Sequence, residues 1–198
     1  MLLDLKKAGI INEDLYRMLY SSDGLSPRFY GLEKIHKTGI PLRPIVSFVN
    51  SPTYDVSSYL AKIFSPVVAN TGNFADFLRG KTLDAEDKLV SFDVVSLFIK
   101  IPVDLAIEVA KKGLRNELFL QKKTSLPVHF LIDLLSFCLN KTFFVYDGTY
   151  YQQVFGTAIG SPASAVIANL VMEDFEQRVL ASSPVKPLFW KRYVDDVI

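Results

Sequence analysis

The chain has 198 residues, of which 49% are apolar, with 15 Phe and 9 Tyr; that is enough to bury a sizeable core and too apolar for a disordered chain. Its net charge of +1 argues against a nucleic-acid binder that works by overall basic charge, because such proteins carry a basic excess. The single cysteine, Cys138, excludes an internal disulfide and, set in an apolar run, reads as a core residue of an intracellular protein.

From the N-terminus, Leu2 to Leu19 has helical periodicity, and Asp4, Lys6 and Lys7 interrupt any secretory run. A loop rich in Ser, Gly and Pro covers 21–27. Residues 28–50 carry Gly31, Gly39, Pro41 and Pro44 between short apolar runs, which predicts strands and turns. Arg28, Lys34, Lys37 and Arg43 fall in this stretch, countered only by Glu33. They form either a basic patch or a solvated face. Ser51-Pro52 predicts a helix over 52–64, with Ser as cap and Pro at the first helical position. The strongest strand signal is Lys88 to Phe98, nearly all apolar around Asp93. Helices are predicted from Pro102 to about Leu114 and from about Pro127 to Leu139. Asp147-Gly148 between two aromatic runs predicts a two-residue hairpin over 142–153.

Ser161-Pro162 opens a further helix to about Leu180, apolar nearly all round through Met172 and amphipathic from Glu173 onward. Val154 to Met172 holds no charge and is long enough to span a bilayer. Gly156, Gly160 and Pro162, with Thr157, Ser161, Ser164 and Asn169, exclude a membrane span. There is no internal repeat and no low-complexity tract. Strands and helices without βαβ alternation predict an α+β fold, with helices on one face of an antiparallel sheet.

Three aspartates carry the chemistry. Asp93 lies inside an apolar, β-branched run, where an unpaired carboxylate is costly to bury; alone, it reads equally as an exposed Asp at a strand end. Asp195 and Asp196 adjoin each other in Tyr193-Val194-Asp195-Asp196. Adjacent carboxylates repel and add nothing to stability, but they suit a hard divalent cation such as Mg²⁺. Two-metal phosphoryl transfer needs carboxylates from separate segments around ions about 3.5–4 Å apart.

At these residues the chain resembles reverse transcriptases. Ser91-Phe92-Asp93-Val94-Val95-Ser96-Leu97-Phe98 resembles their first palm motif, and Tyr193-Val194-Asp195-Asp196 their catalytic turn. Gly160-Ser161-Pro162 before an apolar helix resembles their template-and-nucleotide motif. Among them, the Penelope-like retroelements are similar in Arg28-Phe29-Tyr30-Gly31-Leu32-Glu33-Lys34-Ile35-His36-Lys37, in Pro41-Leu42-Arg43-Pro44-Ile45-Val46-Ser47, and in Gly156-Thr157-Ala158-Ile159-Gly160-Ser161-Pro162. The resemblance runs from about Pro27 to the last residue, with its motifs in the family's order.

The resemblance implies a right-hand polymerase: an N-terminal helical segment over 1–26, fingers over 27–87 and a palm over 88–198. It implies two Mg²⁺ ions, with Mn²⁺ as an alternative, held by Asp93 and Asp195 and supported by Asp196. Lys34 and Arg43 would reach the incoming deoxynucleoside triphosphate, a mobile point charge and a planar fork suited to phosphate. Phe98 would exclude a 2′-hydroxyl, its plain alternative being core packing. Ser161 would open a helix whose amides face nucleotide or template. Gly160 and Tyr193 would lie near template and primer. The implied partners are an RNA template and a DNA primer; the implied location is intracellular, and the nucleus for an active element. Host and oligomeric state are not implied.

Glu33 stands where relatives have Pro, beside Lys34, and either weakens triphosphate binding or points away. The widespread Pro-Gln-Gly is replaced by Phe155-Gly156-Thr157, so its Gln role is not carried over. The catalytic turn is a hairpin in the family, and its return strand is expected to be missing from a palm incomplete at its C-terminus. With no thumb either, the expectation is that this chain alone does not extend a primer. The rival reading is a remnant that holds nucleic acid without chemistry; the intact aspartates, Phe98 and Arg43 argue against long decay. An RNA-templated RNA polymerase is disfavoured by Phe98.

Overall fold

The computed structural model describes residues 1–35, 38–68, 77, 79–80, 82, 84–115, 120 and 122–198. Helices α1 (Leu2–Lys7) and α2 (Glu13–Leu19) open the chain. They replace the single helix expected over 2–19. Gly9 turns the backbone left-handed at φ +69°, and the Asn12 side chain accepts the Leu15 amide at 2.9 Å, starting a new helix. The break lets Ile11 and Leu19 both reach the core.

Strands β1 (Arg28–Glu33) and β2 (Leu42–Ser47) pair antiparallel from Arg28↔Ser47 to Glu33↔Leu42. Pro44 is tolerated because β2 is an edge strand of this sheet. Helix α3 (Tyr54–Phe64) follows. It starts two residues later than expected: Thr53 occupies the cap position, and the buried Ser51 hydroxyl has no hydrogen-bond partner among the described residues.

The expected strand over 88–98 shrinks to β3 (Phe92–Asp93). A strand runs only as far as it has partners, and its neighbour offers two residues. Beyond it Ser96 turns left-handed at φ +61°, and the chain enters the short helix α4 (Leu97–Lys100). Before it, Leu89 and Val90 remain exposed. Helices α5 (Val103–Gly113) and α6 (Val128–Asn140) lie where periodicity placed them. So do β4 (Phe143–Tyr146) and β5 (Thr149–Gln152), joined at Asp147 and Gly148, both with positive φ, as a two-residue primed turn requires.

Helix α7 (Pro162–Ser182) is the spine of the core. Both α3 and α5 pack along it, and α6 packs on α3 and α5. Leu60, Phe64, Leu131, Leu134, Leu135 and Ile167 are fully buried here, each worth about 1.5–3 kcal/mol in water-excluded area. Burial pushes the Cys138 thiol up to about 12, so it sits in this core as an inert apolar residue. The second half of α7 departs from the amphipathic expectation: Phe175 is exposed and Glu176 is buried. Among the described residues no helix is long and apolar enough to cross a membrane.

The last elements are β6 (Arg192–Tyr193) and β7 (Asp196–Val197). The return strand expected to be missing is therefore present in short form. It is the central strand of its sheet, in the order β3-β7-β6. Lys191 and Ile198 exchange both backbone hydrogen bonds at 2.7 and 2.8 Å, which ties the final residue down. Among the described residues the fold is thus mixed α+β with two sheets. The first is a four-stranded mixed sheet, β2-β1-β4-β5, in which β1 and β4 run parallel. The hairpin 143–152 belongs to this sheet, which therefore crosses the division expected at residue 88.

Candidate functional site

The small antiparallel sheet gathers the three aspartates at one end. Asp93 on β3 is directly opposite Asp196 on β7. Residues so paired share a face, with Cβ atoms about 4.5–5.5 Å apart. Asp195 occupies the turn between β6 and β7, and its carbonyl accepts the Val94 amide at 2.8 Å. The expected adjacency of the two aspartate segments is present, with Asp196, rather than Asp195, in register with Asp93. Among the described residues no three acidic, His or Cys side chains close into a formed ion cage. The backbone pairing brings three carboxylates to one end of this sheet, and carboxylate oxygens are the ligand type that hard divalent cations take.

The turn itself is strained. Val194 has φ +58°, a left-handed conformation that costs a β-branched residue about 1–3 kcal/mol and persists only where surroundings over-determine it. Arg192 supplies part of that constraint, and sequence reading missed it. Its guanidinium donates to Glu176 Oε1 at 2.9 Å, Asn169 Oδ1 at 2.7 Å, the Asn169 carbonyl at 3.4 Å and the Val194 carbonyl at 3.2 Å. The Arg192 and Glu176 side chains are 3% and 11% exposed, a buried ion pair. Asn169 and Glu176 are seven residues apart, hence on one face of α7. In the sequence Glu176 stands among Glu173 and Asp174 and does not stand out from them.

The segment 156–161 ties α4 to strand β2. Thr157 donates to the Phe98 carbonyl through its amide at 2.8 Å and its hydroxyl at 3.1 Å. The Val46 amide donates to the Ile159 carbonyl at 2.8 Å. Both glycines sit at positive φ against backbone: a Cβ at Gly156 would meet the Ile99 carbonyl oxygen at 2.4 Å, and one at Gly160 the Val46 carbonyl oxygen at 2.2 Å. Phe98 itself is half-buried against the core.

Ser161 opens α7, as expected, but its hydroxyl is turned inward. It lies 2.7 Å from the Ser57 hydroxyl on α3, and Ser57 in turn accepts the Ala163 amide at 3.0 Å. Ser57, which the sequence did not single out, is thus the cap of α7, supplied from another helix. Ser57→Ala should cost about 1–2 kcal/mol, because it removes a cap and leaves the buried Ser161 hydroxyl without that partner. Urea unfolding checks this; an unchanged midpoint would show that water or a rearranged Ser161 serves equally well.

Lys34 and Arg43 lie on the other sheet. The register puts Arg28, Tyr30 and Leu32 on one face with Ser47, Ile45 and Arg43, and Glu33 with Leu42 on the opposite face. Lys34 continues β1, its amide donating to the Pro41 carbonyl at 3.0 Å, and alternation assigns it to the face of Arg43. Glu33 therefore lies on the face opposite Arg43. Tyr193, beside the turn, is 73% exposed. His36 and Lys37 lie outside the described residues. No protein-family model matches the chain, and no curated protein matches it.

Proposed function

We propose that this chain is a nucleotidyl-transfer module of the reverse-transcriptase type, in which a primer 3′-hydroxyl attacks the α-phosphate of a deoxynucleoside triphosphate on an RNA template. The observation that carries the reading is the register of Asp93 with Asp196 and the place of Asp195 in the turn beside them. Three carboxylates from two segments distant in sequence share one end of a small sheet. When bound, two Mg²⁺ ions supply Lewis-acid activation of the hydroxyl and charge neutralisation at the leaving pyrophosphate. Asp93 and Asp195 would hold them, with Asp196 in support. Lys34 and Arg43, on one strand face, suit the triphosphate, and Tyr193 the primer end. On this reading β1–β2 and the hairpin 143–152 form the fingers, and the three-stranded sheet with α7 forms the palm floor.

The test is binding followed by chemistry. Mn²⁺ titration of the chain by electron paramagnetic resonance should show sites that disappear in Asp93→Asn, and primed RNA with Mg²⁺ and deoxynucleotides should be extended by a form of the chain lengthened at its C-terminus, not by the 198-residue chain alone. Binding of primed RNA with no Mn²⁺ site and no extension would mark a protein that holds nucleic acid without chemistry.

Phe98 sets sugar choice on this reading. Phe98→Ala should raise ribonucleotide use relative to deoxynucleotide by about 10- to 200-fold, the range one steric contact commands. Unchanged discrimination in a folded variant would leave Phe98 as a core residue alone.

A further inference from the structure

We infer that Arg192 is a positioning residue: its guanidinium hangs the Val194-Asp195 turn on helix α7 and thereby sets where the Asp195 and Asp196 carboxylates stand relative to Asp93. The inference deepens the metal-centre reading and rests on it. Sheet pairing alone does not fix this turn, because β6 and β7 contribute two residues each and β6 is an edge strand. The remaining constraint is lateral. Arg192 spans from the Val194 carbonyl at one side to Asn169 and Glu176 at the other. It is one of few charged side chains in a buried position, and its partners are charged or polar along the length of α7. The guanidinium is suited to this because it offers several donors in one rigid plane, so a single side chain can hold a helix and a turn at fixed separation. Lysine, with one mobile ammonium, cannot.

A purely structural ion pair and a positioning anchor make different predictions when both charges are removed. Replacing a buried pair by apolar residues of similar volume is often neutral for stability, whereas removing one partner leaves an unpaired buried charge. Arg192→Met alone should therefore destabilise the protein. The double variant Glu176→Met/Arg192→Met should recover thermal stability near the parent's, while the link to the Val194 carbonyl remains cut. Two measurements then read the turn. One is hydrogen exchange of the Val94 amide, which is bonded to the Asp195 carbonyl; it should lose at least about tenfold protection in the double variant. The other is Mn²⁺ affinity, which should fall about 10- to 100-fold, the range seen when groups that orient metal ligands are removed. Asn169→Ala, which removes only the acceptor at 2.7 Å, should move both in the same direction by several-fold and serves if the double variant does not fold.

Parent-like Val94 protection and parent-like Mn²⁺ affinity in the folded double variant, or in Asn169→Ala if only that folds, would overturn the inference and leave a stabilising ion pair. If the parent itself shows no Mn²⁺ site dependent on Asp93, the metal reading fails, and the Val94 protection still decides whether Arg192 holds the turn.

Discussion

In a form of the chain lengthened at its C-terminus, Asp195→Asn should lower primer extension by at least about 1,000-fold, the equivalent of roughly 4 kcal/mol of lost transition-state stabilisation and within the several kcal/mol that metal ions contribute to phosphoryl transfer. The amide is the size of the carboxylate, and the hydrogen bond from the Val94 amide goes to the Asp195 main-chain carbonyl, so the substitution leaves the backbone as it is. Asp196→Asn should cause a smaller loss of activity and a gain in stability. Asp196 stands directly opposite Asp93, and like charges so placed are destabilising by about 0.2–1 kcal/mol. For a chain of this size the melting temperature should rise by up to about 4 °C. Residues that weaken the fold where they stand and are needed for chemistry show this trade. Stopped-flow or gel-based extension checks the first result, and calorimetry the second. Full extension by Asp195→Asn would remove this carboxylate from the chemistry; a lower melting temperature for Asp196→Asn would show that its charge has a stabilising partner.

Gly160→Ala should be among the most damaging single-atom additions available in this chain, costing about 4 kcal/mol. Two terms add. Gly160 has φ +117°, outside the region where L side chains rest, which costs about 1–3 kcal/mol. Its added Cβ would stand 2.2 Å from the Val46 carbonyl oxygen. Relieving that overlap costs a further 1–3 kcal/mol or so. The oxygen belongs to backbone and cannot swing aside, and moving it strains the bond from the Val46 amide to the Ile159 carbonyl. The first sheet would then shift relative to α7, carrying Arg43 with it. Gly148→Ala is the internal control: it too has positive φ, but nothing lies within 4 Å of its Cβ position, so its cost should stay near 1 kcal/mol. Urea unfolding of the two variants separates the terms, and equal costs would show that the close approach at Gly160 relaxes freely.

Much of the local structure was legible because its signals are local. Pro102 and Pro127 sit just before α5 and α6, and the apolar spacing within each helix follows one turn to the next. Asp147-Gly148 specifies its hairpin by backbone preference alone. The three aspartates were legible through residue type and motif order, since carboxylates in apolar segments have few stable uses. The strand over 88–98 was overread because apolar character marks a strand without measuring it; its length came from β7, which pairs with two residues. The helix over 2–19 was overread because side-chain periodicity continues across Gly9 while the backbone does not. Glu176 and Arg192 each look like surface charges in isolation, and only their pairing makes them interior.

By itself the sequence determined most of the element types, the α+β class and the hairpin turn, because each depends on propensity or periodicity within a few residues. The tertiary structure decided what lies beside what: Asp93 opposite Asp196, Glu33 turned from Arg43, Ser57 capping α7, and Arg192 holding the turn. These depend on contacts between segments up to about a hundred residues apart, whose geometry is set by the packing of α3 and α5 on α7 rather than by any local preference.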